Sequence, residues 1–151
     1  MSLDDRRRAG MDLVRSAFAA VRAPALPLVD CPCPECEELE QRLAGKAWTD
    51  VDAALAEELE TDLPLLNGSA FRALLPAFLL AGFEEACGEF LVYGLEPGDY
   101  NTPRFEGLTD EQGAAVLAFL RWCVADAEAD GDEIYVDDPR RAIEGYWGRF
   151  A

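Results

Sequence analysis

The stretch DCPCPEC, residues 30–36, places three thiols, Cys31, Cys33 and Cys36, between prolines and beside the acidic Glu35, Glu37 and Glu38. Thiols this dense can hold zinc, which takes four thiolate or imidazole ligands in a tetrahedron, usually from two Cys-x-x-Cys-like pairs. Cys33-x-x-Cys36 supplies one pair and Cys31 a third ligand. The chain has no histidine, so a fourth ligand falls to Asp30, Cys87 or Cys123. The last two lie on apolar helix faces, where cysteine packs as a small hydrophobe. A redox pair is the second option, and it needs a thiol that ionises early. A helix N-terminus helps through its free amides and dipole, whereas Asp30, Glu35, Glu37 and Glu38 oppose it by like charge. A dithiol oxidoreductase also needs a βαβ setting. This sequence lacks one, which reduces the option to a regulatory disulfide. The plainest account, and the favoured one, is a loop-to-helix boundary at Cys33-Pro34 with acids in the first turn.

A second candidate is DAEADGDEIYVDD, residues 126–138. Asp126, Glu128, Asp130, Gly131 and Asp132 approximate positions one, three, five, six and seven of an EF-hand loop, and Asp137 falls on the twelfth. Glutamate at the third position, aspartate at the twelfth and a misplaced Ile134 depart from that pattern. An acidic interhelical turn with Gly131 stopping the helix is the favoured reading. Catalysis has little to use. Without histidine the commonest general base is missing, as are Ser-His and Cys-His pairs. No serine lies in a nucleophile elbow and no glycine loop suits a phosphate. A non-enzymatic protein is expected.

Composition points the same way. At 151 residues, half of them hydrophobic, the chain fits one globular domain. Thirty acidic against thirteen basic residues give a net charge of −17, a field that repels nucleic-acid phosphates and anionic lipid and attracts a basic protein or a divalent cation. Glu37, Glu38, Asp50, Asp52, Glu57 and Glu58 concentrate this charge on the second and third helices as a candidate interaction face. No apolar run approaches the roughly 20 residues of a membrane span. The N-terminus lacks a secretory pattern, and residues 1–3 read as a possible expression remnant. A cytoplasmic protein with reduced thiols is expected.

The elements that must position these groups are helical. Met11, Val14, Phe18 and Val21 recur at three- and four-residue steps, predicting a helix over about residues 4–22. Residues 23–34 carry four prolines and form a connector. A helix follows from Pro34 or Glu35 to Ala44, with Leu39 and Leu43 inward and Gly45 as a left-handed stop. Thr49 is the expected N-cap of a helix over about 50–60, with Val51, Leu55 and Leu59 as its stripe. Residues 67–87 read as a buried helix kinked or broken at Pro76. Residues 88–108, rich in glycine and proline, read as a long loop, of a length that is often functional or mobile. Thr109 and Gln112 form a capping box for a long helix with Ala114, Leu117, Leu120, Cys123, Val124 and Ala127 inward. Asp138-Pro139 opens a final helix carrying Ile143, Tyr146, Trp147 and Phe150. The expectation is an all-α single domain of about six helices.

Trp48, LPLL at 63–66, FRALLPAFLLAG at 71–82, RFEGLT at 104–109, Gln112 and AVLAFLRW at 115–122 resemble an uncharacterised bacterial family of all-helical proteins, over roughly residues 40–122. The chain departs from that pattern at Asn67-Gly68-Ser69, where a threonine or serine, a proline and an acid would open the helix. The resemblance implies a helical fold and a bacterial source, and carries no mechanism. The leading functional expectation is an acidic module that binds a basic protein. The alternative is a zinc-binding or redox-responsive thiol protein built on Cys31, Cys33 and Cys36.

Overall fold

The computed structural model describes residues 1–84, 88–132 and 134–151. Among them are eight α-helices and three short 3-10 helices, with no strand beyond a lone antiparallel bridge between Val29 and Leu66. The all-helical expectation holds. The count rises from about six because two short helices occupy the segment read as a long loop.

Helix α1 (Leu3–Ala17) starts from a reciprocal cap: Ser2 Oγ accepts from the Asp5 amide and Asp5 reaches back to the Ser2 amide. Residue 2 is thus built into the fold. The helix ends at Ala17 rather than Arg22 because the Phe18 carbonyl is taken by the buried indole of Trp48 at 3.0 Å and by the Val21 amide. Helix α2 (Pro34–Leu43) starts where expected and ends one residue early, at the Ala44 C-cap, and Gly45 adopts φ +77° in the turn that closes it. The next cap is Asp52, not Thr49. Asp52 accepts from the Leu55 amide at 2.8 Å and opens α3 (Ala53–Leu59), while residues 48–50 form a separate 3-10 turn.

Helix α4 (Gly68–Glu84) runs through Pro76 without a break. An internal proline costs about 3 kcal/mol, yet Leu74, Leu75, Ala77, Phe78 and Leu79 around it are at most 3% exposed. Each large side chain so buried contributes about 1.5–3 kcal/mol, so packing outweighs the lost hydrogen bond. Asn67 resolves the departure noted at residues 67–69. Its Oδ1 accepts from the Ala70 amide at 2.9 Å as a cap, its Nδ2 donates to the Pro27 carbonyl at 2.7 Å, and its amide donates to Leu28. One asparagine therefore starts α4 and pins the proline-rich connector.

Residues 88–108 contain α5 (Glu89–Leu95) and α6 (Thr102–Phe105). The glycines and prolines punctuate short helices here because Leu91, Val92, Leu95 and Phe105 find buried places. Helix α7 (Asp110–Ala129) begins at the Thr109–Gln112 capping box, as read. It is buried on several sides because α1 and α8 both pack on it. Helix α8 starts earlier than expected, spanning Ile134–Gly145, and holds Pro139 within it. Beyond it, Trp147 is fully buried among Phe105, Tyr146 and Phe150 and donates to the Leu95 carbonyl at 2.7 Å.

Two features hold these helices in place. Arg104 is only 6% exposed, and its Nη2 donates to the carbonyls of Leu63 and Leu66 at 2.7 and 2.9 Å. Its guanidinium lies 4.5 Å from the Phe71 ring and 5.0 Å from the Tyr100 ring. Glycines also let aromatic rings touch helix backbones. A Cβ on Gly10 would lie 2.5 Å from Phe83, one on Gly82 2.7 Å from Phe119, and one on Gly113 2.6 Å from Phe150.

Arg104→Ala should destabilise the protein by about 3–5 kcal/mol through unpaired carbonyls and a cavity, lowering Tm by about 10 °C or more. A thermal melt showing a change under about 1 kcal/mol would refute the structural role of this side chain. Gly10→Ala should cost about 1–2 kcal/mol, because ring displacement exceeds the helix-propensity gain of about 1 kcal/mol. Phe83 cannot retreat cheaply, being stacked edge-on against Phe119 and tilted against Trp122.

Candidate metal centre

The thiols meet where the connector enters α2. Cys33 is the N-cap, in extended conformation, and its Sγ accepts from the Cys36 amide at 3.4 Å. Pro34 at the first helical position fixes a backbone angle already suited to a helix, and Cys36 follows on the buried side with Leu39 and Leu43. Cys31 is exposed, Cys33 half-buried and Cys36 fully buried. All three sulfur atoms lie within 4.8 Å of one another. Thiolates at about 2.3 Å from a zinc ion stand about 3.8 Å apart in a tetrahedron, so closing this triangle on an ion needs only small side-chain movement. The donor set suits zinc or another thiophilic ion.

The connector is anchored on both sides of this triangle. Leu28 donates its amide to Glu40 Oε2 at 2.8 Å, which ties the segment before the cysteines to α2 itself. Asn67 grips Pro27 and Leu28 from the other side.

The two thiols of the Cys-x-x-Cys pair are displaced in opposite directions. Hydrogen bonds from the Cys36 thiol, the Cys36 amide and the Cys31 thiol favour the Cys33 thiolate and lower its pKa, against burial and Glu35. Cys36 is pushed up to about 12, first because its thiol donates to Cys33 and then by burial. Of the four acids expected to oppose ionisation of Cys33, Glu35 does so, but hydrogen bonding outweighs it.

The other proposed ligands separate from this centre. No carboxylate joins the thiol triangle among the described residues, so Asp30 is not placed as a fourth ligand. Cys123 is buried on the inner face of α7, as expected, but it is disulfide-bonded, which corrects the reading of uniformly reduced thiols. Cys87 lies outside the described residues.

The acidic face is similarly sorted. Asp50 receives the Ala47 amide, Asp52 caps α3, and Glu58 makes a bidentate pair with Arg42 at 3.0 Å on each arm. Glu40 holds Leu28, and Glu60 accepts from the Leu91 amide at 3.2 Å. Glu37, Glu38 and Glu57 remain exposed, and their carboxylates form no hydrogen bond or ion pair among the described residues. Much of this sequence-dense acid is thus structural, a distinction that spacing does not carry.

The EF-hand-like reading of 126–138 gives way to a helix stop. Asp126 and Glu128 lie within α7, and Glu128 pairs with Arg140. Gly131 adopts φ +71° while its amide donates to Glu128 and that of Asp132 to Ala127. That is the Schellman pattern, as the favoured reading held. Burial and Asp130 raise the pKa of Asp126. Residue 133 of this stretch lies outside the described residues.

No family model, curated protein or solved structure matches the chain. The landmarks of the noted resemblance nonetheless have definite work. Trp48 binds the Phe18 carbonyl, Arg72 donates to the Arg104 carbonyl at 3.0 Å, and Arg104 clasps the LPLL turn. No described helix is long and apolar enough to cross a membrane.

Alkylation of the metal-free, reduced protein should label Cys33 at lower pH than an ordinary thiol, because its lowered pKa exposes thiolate earlier. Cys36 should resist until pH approaches about 12. Peptide mapping across a pH series checks the order, and Cys36 reacting first would contradict this geometry.

Proposed function

We infer that the protein is a thiolate metal-binding protein that holds one zinc or similarly thiophilic ion through Cys31, Cys33 and Cys36. The mutual approach of three sulfurs within 4.8 Å carries this reading. Elsewhere in the described chain no comparable group of donor residues occurs. The exposed Cys31 gives the ion a path from solvent, and the buried Cys36 gives it a fixed base.

When bound, zinc would supply a Lewis-acidic or structural centre. The residues of this chain cap α2, hold the connector against α4 and keep three sulfurs on one side of the ion. Because the chain has no histidine, imidazole coordination does not compete here.

A second reading rests on the 3.4 Å contact between Cys33 Sγ and the Cys36 amide. In that reading the pair is a regulatory switch: Cys33 attacks an external disulfide, and Cys36 then displaces the partner thiol. The products are a Cys33–Cys36 disulfide and a reduced partner. The interaction-module reading narrows to the exposed Glu37, Glu38 and Glu57, with a basic protein as partner.

Elemental analysis of zinc-loaded protein should give one ion per chain, with three thiols protected from a thiol reagent. Cobalt substitution should show a thiolate charge-transfer band. Cys33→Ser should weaken binding beyond the roughly 10–100-fold typical of outer-shell changes. Substoichiometric zinc together with a readily formed Cys33–Cys36 disulfide would reject the metal reading in favour of the second one.

A further inference from the structure

A trough lies where α1 packs on α7 and α7 packs on α8. One part, about 310 Å³, is bounded by Arg6, Arg121, Val124, Arg140, Ile143 and Glu144. An adjoining recess of about 390 Å³ shares Arg6 and Arg121 and continues over Leu13, Ala118 and Trp122. Both volumes fall in the range of small-molecule sites, roughly 300–1,000 Å³.

The charge here runs against the rest of the molecule. Of the twelve arginines in the chain, six pair with a carboxylate among the described residues. Arg6 and Arg121 come from different helices, border both recesses and form no ion pair among the described residues. Two guanidiniums facing one hollow repel each other unless an anion lies between them, and their planar forks match a carboxylate. Arg140 is neutralised by Glu128, and Glu144 offsets one of the remaining pair, which leaves an excess of one positive charge among the lining side chains. That balance suits a monoanion better than a phosphate dianion. The apolar side chains beyond the arginines suit a hydrocarbon or aromatic body.

We propose that this trough binds a small organic carboxylate, its head between Arg6 and Arg121 and its apolar body along Leu13, Ala118 and Trp122. The site is separate from the thiol centre and does not depend on it. The net charge of −17 opposes adventitious anion binding, so saturable binding reports a built site.

Octanoate is a suitable probe, followed through the three tryptophan indole signals of the full-length ¹⁵N-labelled protein. The Trp122 signal should shift saturably. Those of Trp48 and Trp147 should stay, because their indoles are tied to the Phe18 and Leu95 carbonyls. Arg121→Gln and Arg6→Gln should each weaken binding at least about tenfold, the loss of a charge-assisted hydrogen bond. Neither arginine holds an ion pair, so both variants should fold, and should one fail the other gives the same readout. Octylamine and inorganic phosphate should leave Trp122 unmoved. No shift at millimolar octanoate, equal response to octylamine or phosphate, or full affinity in a folded variant would overturn the proposal.

Discussion

A buried guanidinium organises the region where the 60–65 turn, α4 and α6 meet. Taking a cation out of water costs several kcal/mol unless its protons are matched. Arg104 meets much of that demand without any carboxylate: its Nη2 donates to two backbone carbonyls, and the guanidinium lies against two aromatic rings. Burial lowers its pKa from the ordinary value, though a guanidinium stays charged throughout the range in which proteins work. Its Nε is buried without a hydrogen-bond partner among the described residues. An arrangement of this kind tolerates little displacement. The 60–65 turn, α4 and the Tyr100–Phe105 segment must arrive together for the charge to be accommodated at all.

That constraint reaches the thiols through a short series of contacts. Arg104 fixes the Leu66 carbonyl, the adjacent Asn67 caps α4 and holds Pro27 and Leu28, and Leu28 is tied to Glu40 on α2. Cys33 caps that same helix. The thiol triangle thus stands on a connector which, despite its prolines, is bonded at both edges, and a donor set so held would need little reorganisation to receive an ion. Its acidic surroundings also raise the local concentration of cations.

What the sequence discloses, and what it hides, follows from the range of the forces involved. The helical periodicity of α2 and α7, the stop at Gly45, the Thr109 capping box and the turn at Gly131 are local, and local patterns declare them. The misjudged boundaries have distant causes. Helix α1 stops early because Trp48, thirty residues on, takes the Phe18 carbonyl. Helix α4 survives Pro76 because its flanks are buried on several sides. The segment 88–108 folds into two helices because Leu95, Phe105 and Arg104 find partners from elsewhere in the chain. For the site, the density of cysteines marks the place, but the opposed displacement of Cys33 and Cys36 arises from geometry that spacing alone does not contain. The structural duties of Asp50, Glu58 and Glu60 were hidden in the same way, since an acid that caps or bridges looks like any other acid in a row.

The contacts between glycines and rings carry a consequence for divergence. Gly82 with Phe119 and Gly113 with Phe150 are matched as hollow and bulge, so neither partner can drift alone. A lineage that preserved this packing would have to enlarge one member and shrink the other in step. Paired exchange at these positions would be the genealogical trace of the fold, legible even where the surface had changed beyond comparison.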